Sequence, residues 1–338
     1  MSVEIIFHPR NTTRDRLRQF LEERGYRPTG HLWDWPKGSL NYHWFDDSDY
    51  RSFDGVEATI YPPTNEKDLK KLGQCGWALH TRTRSSGSPA DKQQQNETIR
   101  AARREFGGSF YNDWRGKNRY TQVHQDGRDA PARGIYLAYE LVRHNISAVR
   151  FALPEPTEGL EKLIGTKLEA LATMDATRVL YNALVPFAVA ALEHFFSQTF
   201  KILLRYDSTA KKRLEKHTRR VEFSDVLAIE ARTKTIEDVV ADWYSFQSIS
   251  SIHNAFSEWF SVDFWNLLRQ RKKIGKRISL LETRLDQLIK FRHSIVHGLN
   301  INVEMRKPQI QEVLDLTLAV IDVFVDHLEK SRGKRIRD

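Results

Sequence analysis

The sequence predicts an α+β domain over residues 1–153, followed by an all-helical bundle over residues 154–338. In the first half, strand-like segments alternate with helical ones, and this half holds most of the glycines. The second half has few glycines, and its apolar residues keep a helical spacing almost throughout. Between the halves, the segment LPEPTEG at residues 153–159 contains prolines and a glycine that interrupt regular structure. We therefore place the domain boundary there.

The first domain is predicted to contain five strands and three helices. The strands lie within VEIIFHP, LNYHWF, GVEATIYPP, GWALHTRTR and SFYND. The first helix has Asn11 or Thr12 as its N-cap and Gly25 after its last turn. The second helix begins after Ser88, which forms a capping box with Asp91. The third helix covers GIYLAYELVRHN.

The spacing of apolar residues predicts eight helices in the second domain. They cover residues 160–182, 186–204, 208–217, 222–231, 236–246, 250–269, 274–297 and 308–331. In the helix 274–297, one side is apolar and is expected to pack into the bundle. The residues on this side are Ile274, Ile278, Leu281, Leu285, Leu288, Ile289 and Ile295.

The composition indicates a protein of the cytoplasm. The chain has 338 residues and one cysteine, Cys75, which excludes an internal disulfide and fits a reducing compartment. The first residues contain no secretory signal. The longest apolar segment, ALVPFAVAALEHFF, is interrupted by Pro186 and Glu193 and is shorter than the roughly 20 apolar residues that a membrane span requires. We therefore expect no membrane association.

The net charge of +9 favours anionic partners, among which nucleic acid is the commonest. Basic clusters lie in the second half at residues 209–220, 269–277 and 330–338. The cluster 269–277 leads into the helix 274–297, whose end carries a candidate site, so we interpret this cluster as RNA-binding. The residues assigned to RNA contact are Arg269, Arg271, Lys272 and Lys273. The cluster 209–220 is either part of the same surface or a solvated helix face, and the C-terminal cluster is expected to be a frayed, solvated tail.

The first domain carries a candidate phosphate site at Arg82 and Arg84. These arginines end a strand, and a Ser/Gly loop then enters the N-terminus of a helix, whose free amides can bind an anion. No nucleotide-binding glycine motif accompanies them. The alternative is an exposed strand face, and the helix residues Arg100, Arg103 and Arg104 have the same two interpretations. A bound anion would make this domain a sensor of a regulatory ligand, whereas binding of the substrate itself would give it a positioning role.

The segment KFRHSIVHG at residues 290–298 places three cationic or titratable side chains in a helix that otherwise favours apolar residues. His293 and His297 are four residues apart and share one face of the helix. Arg292 adjoins the apolar side, next to a helix–helix contact. Arg292 and His297 are five residues apart, about 140° around the helix axis. They therefore converge only through long side chains or through a second chain.

A guanidinium beside imidazoles fits metal-independent cleavage of RNA. Arginine can bind the phosphorane that forms when the 2′-hydroxyl attacks the adjacent phosphorus, and histidine can exchange protons near neutral pH. Two other interpretations remain for these side chains. They can be solvated or bonded to backbone carbonyls, or His293 and His297 can form a metal pair, although no carboxylate or cysteine lies at a convincing spacing. We predict neither a metal nor a cofactor.

The segment FRHSIVHG resembles the R-x(4–6)-H motif of HEPN domains (higher eukaryote and prokaryote nucleotide-binding), in which a polar residue commonly follows the arginine. Arg292, His293 and His297 match these positions at the shortest allowed spacing. VAALEHFFSQTFKILLRYD at 189–207 resembles the early long helix of HEPN domains, and SSIHNAFSEWFSVDFW at 250–265 is similar to a helix that precedes the motif helix in some branches. The resemblance covers the helical half and none of the first domain.

This resemblance implies a HEPN-like helical bundle that forms a homodimer and brings two copies of Arg292 and His297 into one cleft. It implies a metal-independent endoribonuclease, often in a toxin or antiviral defence role, with RNA as its substrate. Glu193 lies on the helix face that often meets the motif arginine, where it would orient Arg292, and His293 would order the site or assist proton transfer. Some HEPN domains are non-catalytic binding or assembly modules, so RNA or nucleotide binding without cleavage is the alternative function.

Overall fold

The structure is a computed structural model that describes residues 1–30, 35–155, 176–298, 300–302 and 304–338. The described chain forms two compact units, Met1–Ala130 and Pro131–Asp338. Most of the predicted linker and of the predicted helix 160–182 lies outside the described residues.

The first unit is built on a seven-stranded antiparallel sheet with the order β2-β3-β4-β5-β1-β6-β7. The strands are β1 (Ser2–His8), β2 (Arg27–Pro28), β3 (Leu40–Trp44), β4 (Val56–Tyr61), β5 (Ala78–Arg84), β6 (Ser109–Asn112) and β7 (Gly116–Lys117). The helices of this unit are α1 (Arg14–Glu22), α2 (Glu66–Leu72) and α3 (Pro89–Phe106). The predicted α+β class is confirmed.

The core of the first unit lies between the sheet and the helices α1 and α3. Fully buried Phe7 and Phe110 of the sheet pack with Phe20 of α1 and Ile99 of α3. These contacts hold the inner faces of both helices against the strands, since apolar side chains on one helix face are stabilised by removal from water.

The N-terminal caps of the two helices are local polar contacts. The predicted capping box of α3 is confirmed, because Ser88 and Asp91 bond to each other's backbone amides. The cap of α1 is Thr13, whose hydroxyl accepts from the amide of Arg16, so the prediction of Asn11 or Thr12 was displaced by one residue or more.

The second unit is helical, as predicted. Its described helices are α4 (Ala130–Ala152), α5 (Ala176–Tyr206), α6 (Ser208–Glu215), α7 (Phe223–Glu230), α8 (Ile236–Ala241), α9 (Ile249–Phe260), α10 (Phe264–Leu268), α11 (Leu281–Gly298) and α12 (Lys307–Arg332). A short hairpin, β8 (Arg271–Ile274) and β9 (Arg277–Leu280), precedes α11.

Nearly all of α4 belongs to the second unit, although the sequence analysis grouped this helix with the first domain. The hydroxyl of Tyr139 donates to Asp322 of α12 at 2.9 Å, and Arg150 donates to Asp315 of the same helix. These bonds connect segments far apart in sequence. The division into compact units thus differs by about one helix from the boundary drawn at the prolines.

The helix α5 runs through Pro186, where the sequence predicted the start of a separate helix. A proline within a helix removes one backbone hydrogen bond and costs about 3 kcal/mol. Burial of apolar side chains on both sides of it, Tyr181 and Val185 before and Val189 after, offsets this cost. By length and composition, α5 is the one helix of the described segments that could cross a membrane. Its phenylalanines pack inside the bundle.

The first part of the predicted helix 274–297 is the hairpin β8–β9. Gly275 lies in the two-residue turn with φ +59°, a conformation that suits glycine. A Cβ atom at this position would lie 2.4 Å from a carboxylate oxygen of Glu312. Ile278, assigned to the buried side of a helix, is 70% exposed on β9.

The predicted helix 250–269 is interrupted at Ser261, which has φ +59° and separates α9 from α10. Asp263 then caps α10 by accepting from the amide of Asn266.

Phe196 of α5 lies at the centre of the bundle and is fully buried. Its ring lies 5.1 Å from the rings of Phe264 and Phe324 and 6.0 Å from that of Phe256, measured between centroids and in edge-to-face geometry. Such aromatic pairs add stabilisation beyond the area that they bury. The contacts join α5, α9, α10 and α12.

We predict that Phe196→Ala lowers the free energy of unfolding by about 3–5 kcal/mol, because it leaves a cavity among these rings. Phe223→Ala is the control, since Phe223 is 76% exposed on α7 and its truncation leaves no cavity. Denaturant unfolding of both variants measures the difference. Equal stability of the two would contradict the assignment of the core.

Candidate active site

The C-terminal turns of α11 carry the motif residues on two sides of the helix. His293 and His297 are exposed, and their ring centroids are 4.4 Å apart. Arg292 is half-buried. In the described residues, no third His, Cys, Asp or Glu joins the histidine pair in a group that could hold a metal ion. Both imidazoles are thus accessible to solvent.

Glu193 of α5 interacts with Arg292 of α11. Partial burial raises the pKa of the Glu193 carboxyl, and the positive charge of Arg292 and a hydrogen bond with the Gln247 side chain oppose that rise. The Oε1 atom of Glu193 is buried without a hydrogen-bond partner in the described part of the chain. Glu193 therefore attracts Arg292 and keeps one acceptor oxygen free.

A second contact from α5 holds the chain that follows the motif. The buried side chain of Asn182 donates to the carbonyl of Asn302 at 3.0 Å and accepts from its amide at 2.8 Å. This pair of bonds mimics the pairing of two strands. Because α5 also carries Glu193, one helix contacts both the motif arginine and the chain that follows the motif.

Asn182 and Gln247 were not predicted from the sequence. Asn182 is 120 residues from its partner, and Gln247 lies in the connection between α8 and α9. Neither residue has a local motif, and their roles depend on contacts that the helix spacing does not encode.

The hairpin β8–β9 carries the basic cluster that precedes the motif. Most of its cations are exposed: Arg269, Arg271, Lys273, Lys276 and Arg277, with Lys272 half-buried. Arg284 and Lys290 of α11 pair with Glu312 and Asp286. Within the described segments, the hairpin cations have no carboxylate partner within 4.0 Å.

Arg271 and Lys273 project from one face of the hairpin. Their cross-strand neighbours on that face are Leu280 and Ile278, respectively. The face therefore combines two unneutralised cations with the exposed Ile278 side chain. A surface of this kind can contact phosphates and the apolar parts of a nucleotide.

Some side chains of the other two basic clusters contact the rest of the fold. In residues 209–220, Arg213 donates to the carbonyl of Glu258 at 2.5 Å, and the guanidinium of Arg219 lies 4.9 Å from the Trp243 ring.

The C-terminal tail is tied to α12, so the prediction of a frayed tail was wrong. Arg337 pairs with three carboxylates on one side of α12, and Ile336 is buried. The three carboxylates belong to Asp322, Asp326 and Glu329. Opposite charges and a buried side chain hold this segment, neither of which was apparent from its basic composition.

In the first unit, Arg82 and Arg84 lie at the end of β5 and already have carboxylate partners. Arg82 lies near Glu4 and Glu57, and Arg84 pairs with Asp54 at 3.3 Å. An anion would compete with these carboxylates for both arginines.

The N-terminus of the adjacent helix α3 is also occupied. The Oδ2 atom of Asp91 accepts from the amides of Phe53, Asp54 and Ser88. A carboxylate thus lies where the sequence analysis expected free amides for a phosphate.

We predict that Glu193→Gln raises the melting temperature at pH 7. Because burial raises the folded-state pKa of Glu193, the unfolded chain loses this proton at lower pH than the folded chain. The contribution of Glu193 to the free energy of unfolding is therefore fully present below the ordinary carboxyl pKa. It falls as pH rises through the raised pKa of the folded state. Glutamine does not ionise, so the variant does not lose this stability. The difference in melting temperature between the variant and wild type therefore increases with pH across that window.

His194→Gln is the control, since His194 is the exposed neighbour on α5. Thermal melts of the three proteins from acid to neutral pH test the prediction. A glutamine variant that is less stable than wild type at pH 7 would contradict it.

The comparisons with known proteins assign the second half. The RiboL-PSP-HEPN family model matches residues 160–330, which is just over half of the chain. No curated protein and no solved structure matches the chain. The match contains the motif helix α11, the helix α5 and most of α12, so the resemblance drawn from the motif is confirmed. HEPN domains are commonly ribonucleases, which indicates a nuclease or RNA-related function. The chain belongs to the RiboL-PSP-HEPN family.

Proposed function

We propose that this protein is a metal-independent endoribonuclease whose site is formed by Arg292, His293 and His297. The observation that carries the proposal is the exposed histidine pair, with rings 4.4 Å apart, beside a half-buried arginine at the end of α11. Membership of the HEPN family supports an RNA substrate.

The proposed reaction is an internal transesterification of RNA. A base removes the proton of the 2′-hydroxyl, whose oxygen attacks the adjacent phosphorus. The phosphorane gathers negative charge, which the guanidinium of Arg292 binds through charge-assisted hydrogen bonds. The bond to the 5′-oxygen then breaks, and an acid protonates this oxygen. The products end in a 2′,3′-cyclic phosphate and a 5′-hydroxyl.

His297 is assigned the proton transfers in this scheme. His293 lies next to it and would order its ring or pass a proton to it. Glu193 is assigned as a positioning residue, because its negative charge attracts the guanidinium of Arg292.

The cleft is proposed to form between two copies of the chain. Arg292 lies towards α5, whereas His297 lies on the exposed side of α11. A homodimer across a two-fold axis would place the arginine and histidines of both copies around one phosphate. This arrangement also supplies an acid and a base at the same time.

RNA is proposed to approach over the hairpin β8–β9. Its cations are free of carboxylate partners in the described residues and adjoin the motif helix in sequence. Ionic contacts of this type supply affinity without sequence preference. The defence or toxin role suggested by other HEPN proteins would follow from indiscriminate cleavage of cellular RNA.

We predict that His297→Ala loses about 10²–10⁴-fold in cleavage rate, the usual contribution of general acid–base catalysis. Purified protein is incubated with total cellular RNA in EDTA, and the fragment ends are analysed for 2′,3′-cyclic phosphate. His144→Ala is the matched control, because His144 is exposed on α4, away from the motif in sequence. Arg292→Gln is expected to lose about 10²–10³-fold in cleavage rate, because the guanidinium no longer stabilises the charge of the phosphorane.

Cleavage that persists in the His297 variant would refute the assignment of the site. If RNA stays intact with wild-type protein but still binds to it, the chain is a binding or assembly module rather than a nuclease.

We predict that changing both Arg271 and Lys273 to Gln weakens RNA binding and reduces its salt dependence. Each lost contact with a single-stranded phosphate lowers the slope of log affinity against log salt by about 0.7, so the double variant loses about 1.4. Lys290→Gln is the control, since Lys290 is exposed but paired with Asp286. An unchanged slope in the double variant would exclude the hairpin from RNA contact.

A further inference from the structure

We propose that the first unit binds the phosphate backbone of RNA in a pocket between the end of α1 and the outer face of α3. The inference rests on the proposed function, which makes RNA the substrate. The pocket has a volume of about 560 Å³. Its lining includes Arg24, Arg100, Arg104, Gln94, Thr98 and Glu97.

The fold places three arginines around this pocket. Arg100 and Arg104 are four residues apart, so they lie one above the other on one face of α3. Arg24 follows the last turn of α1, just before the chain turns at Gly25 with φ +79°. Ala102 on the opposite side of α3 is fully buried, which fixes the direction in which the arginines face.

Contacts with aromatic rings hold two of these arginines. The guanidinium of Arg24 lies 3.7 Å from the centroid of the Phe20 ring and donates to the Phe20 carbonyl at 3.0 Å. The guanidinium of Arg100 lies 5.0 Å from the Tyr120 ring. A ring restricts the side chain without cancelling its charge, so less entropy is lost when an anion binds.

In the part of the chain that the structure describes, the three arginines have no carboxylate partner. Each lies more than 4.0 Å from any described carboxylate, whereas Arg16 of α1 reaches Glu105 of α3 at 4.0 Å. Arg82 and Arg84 at the end of β5 are both paired with acids. The pocket is therefore the better anion site in this unit, because an anion need not displace a carboxylate from its arginines.

The single carboxylate in the lining, Glu97, accepts a bond from Gln93 at 2.8 Å. Three positive charges against one negative charge leave the pocket positive. An anion that binds near the arginines avoids Glu97, which restricts where the phosphates can lie.

The lining favours an RNA backbone over a mononucleotide. It contains no aromatic ring on which a base could stack, and its neutral groups, Gln94 and Thr98, are polar. Thr98 is already bonded to the hydroxyl of Tyr26 at 2.9 Å. Recognition of RNA at this pocket therefore acts through its phosphates. Each of the three guanidinium groups can bind one of several successive phosphates.

The test is RNA binding by the full chain carrying His297→Ala, measured in EDTA so that cleavage does not consume the probe. A labelled single-stranded oligoribonucleotide is titrated at several salt concentrations. The further triple change Arg24→Gln, Arg100→Gln and Arg104→Gln is expected to weaken binding and to lower the salt slope by about two, at 0.7 per phosphate. Thermal melts verify that the triple variant is folded.

Arg103→Gln and Arg82→Gln are the controls. Arg103 is exposed on α3 but lies outside the pocket lining, and Arg82 is paired with acids. Both are expected to keep the affinity and slope of the parent. An unchanged slope in the triple variant, or an equal loss in a control, would overturn the proposal.

A competition with ATP separates the backbone of RNA from a small nucleotide. If ATP displaces the oligonucleotide at micromolar concentration only when the three arginines are present, the pocket is a nucleotide site and the RNA assignment is overturned. Because binding is measured without cleavage, loss of nuclease activity elsewhere leaves this result unaffected.

Discussion

The second unit depends on the burial of one helix, α5. Its phenylalanines form the centre of the bundle through Phe196, and its polar residues reach the candidate site through Asn182 and Glu193. Any shift of α5 would change the core and the site together. The position of Glu193 is therefore a compromise, since the same packing that holds the helix removes part of the carboxylate from water and makes its charge less favourable. The attraction of Arg292 offsets only part of this effect.

The positions of the cations decide where an anion can bind, more than the net charge does. The chain carries a net charge of +9, yet many cations are neutralised within the fold, as Arg337 is by three acids. In the described residues, unpaired cations gather on the hairpin β8–β9 and in the pocket near α3. At either place, an anionic ligand can gain contacts without displacing a carboxylate.

The sequence alone was sufficient for the class of each half, for the capping box at Ser88 and for the family of the second half. It was insufficient where contacts between residues far apart in sequence determine the secondary structure or the site. Pro186 would end an isolated helix, but the buried residues around it continue α5. The hairpin around Gly275 was predicted as helix because Ile274, Ile278 and Leu281 fall at helical spacing. For the site, the motif identified the residues on α11, whereas the contacts of Asn182 and Gln247 join segments that no local pattern relates.

The bond pair between Asn182 and Asn302 has a consequence for the energetics of the site. The segment after a helix usually samples many conformations, and ordering each residue costs about 1–2 kcal/mol in entropy. Here the buried amide of Asn182 orders the backbone at Asn302 during folding. That entropy is therefore already lost before any ligand binds, and the free energy of ligand binding is not reduced by having to order this part of the chain.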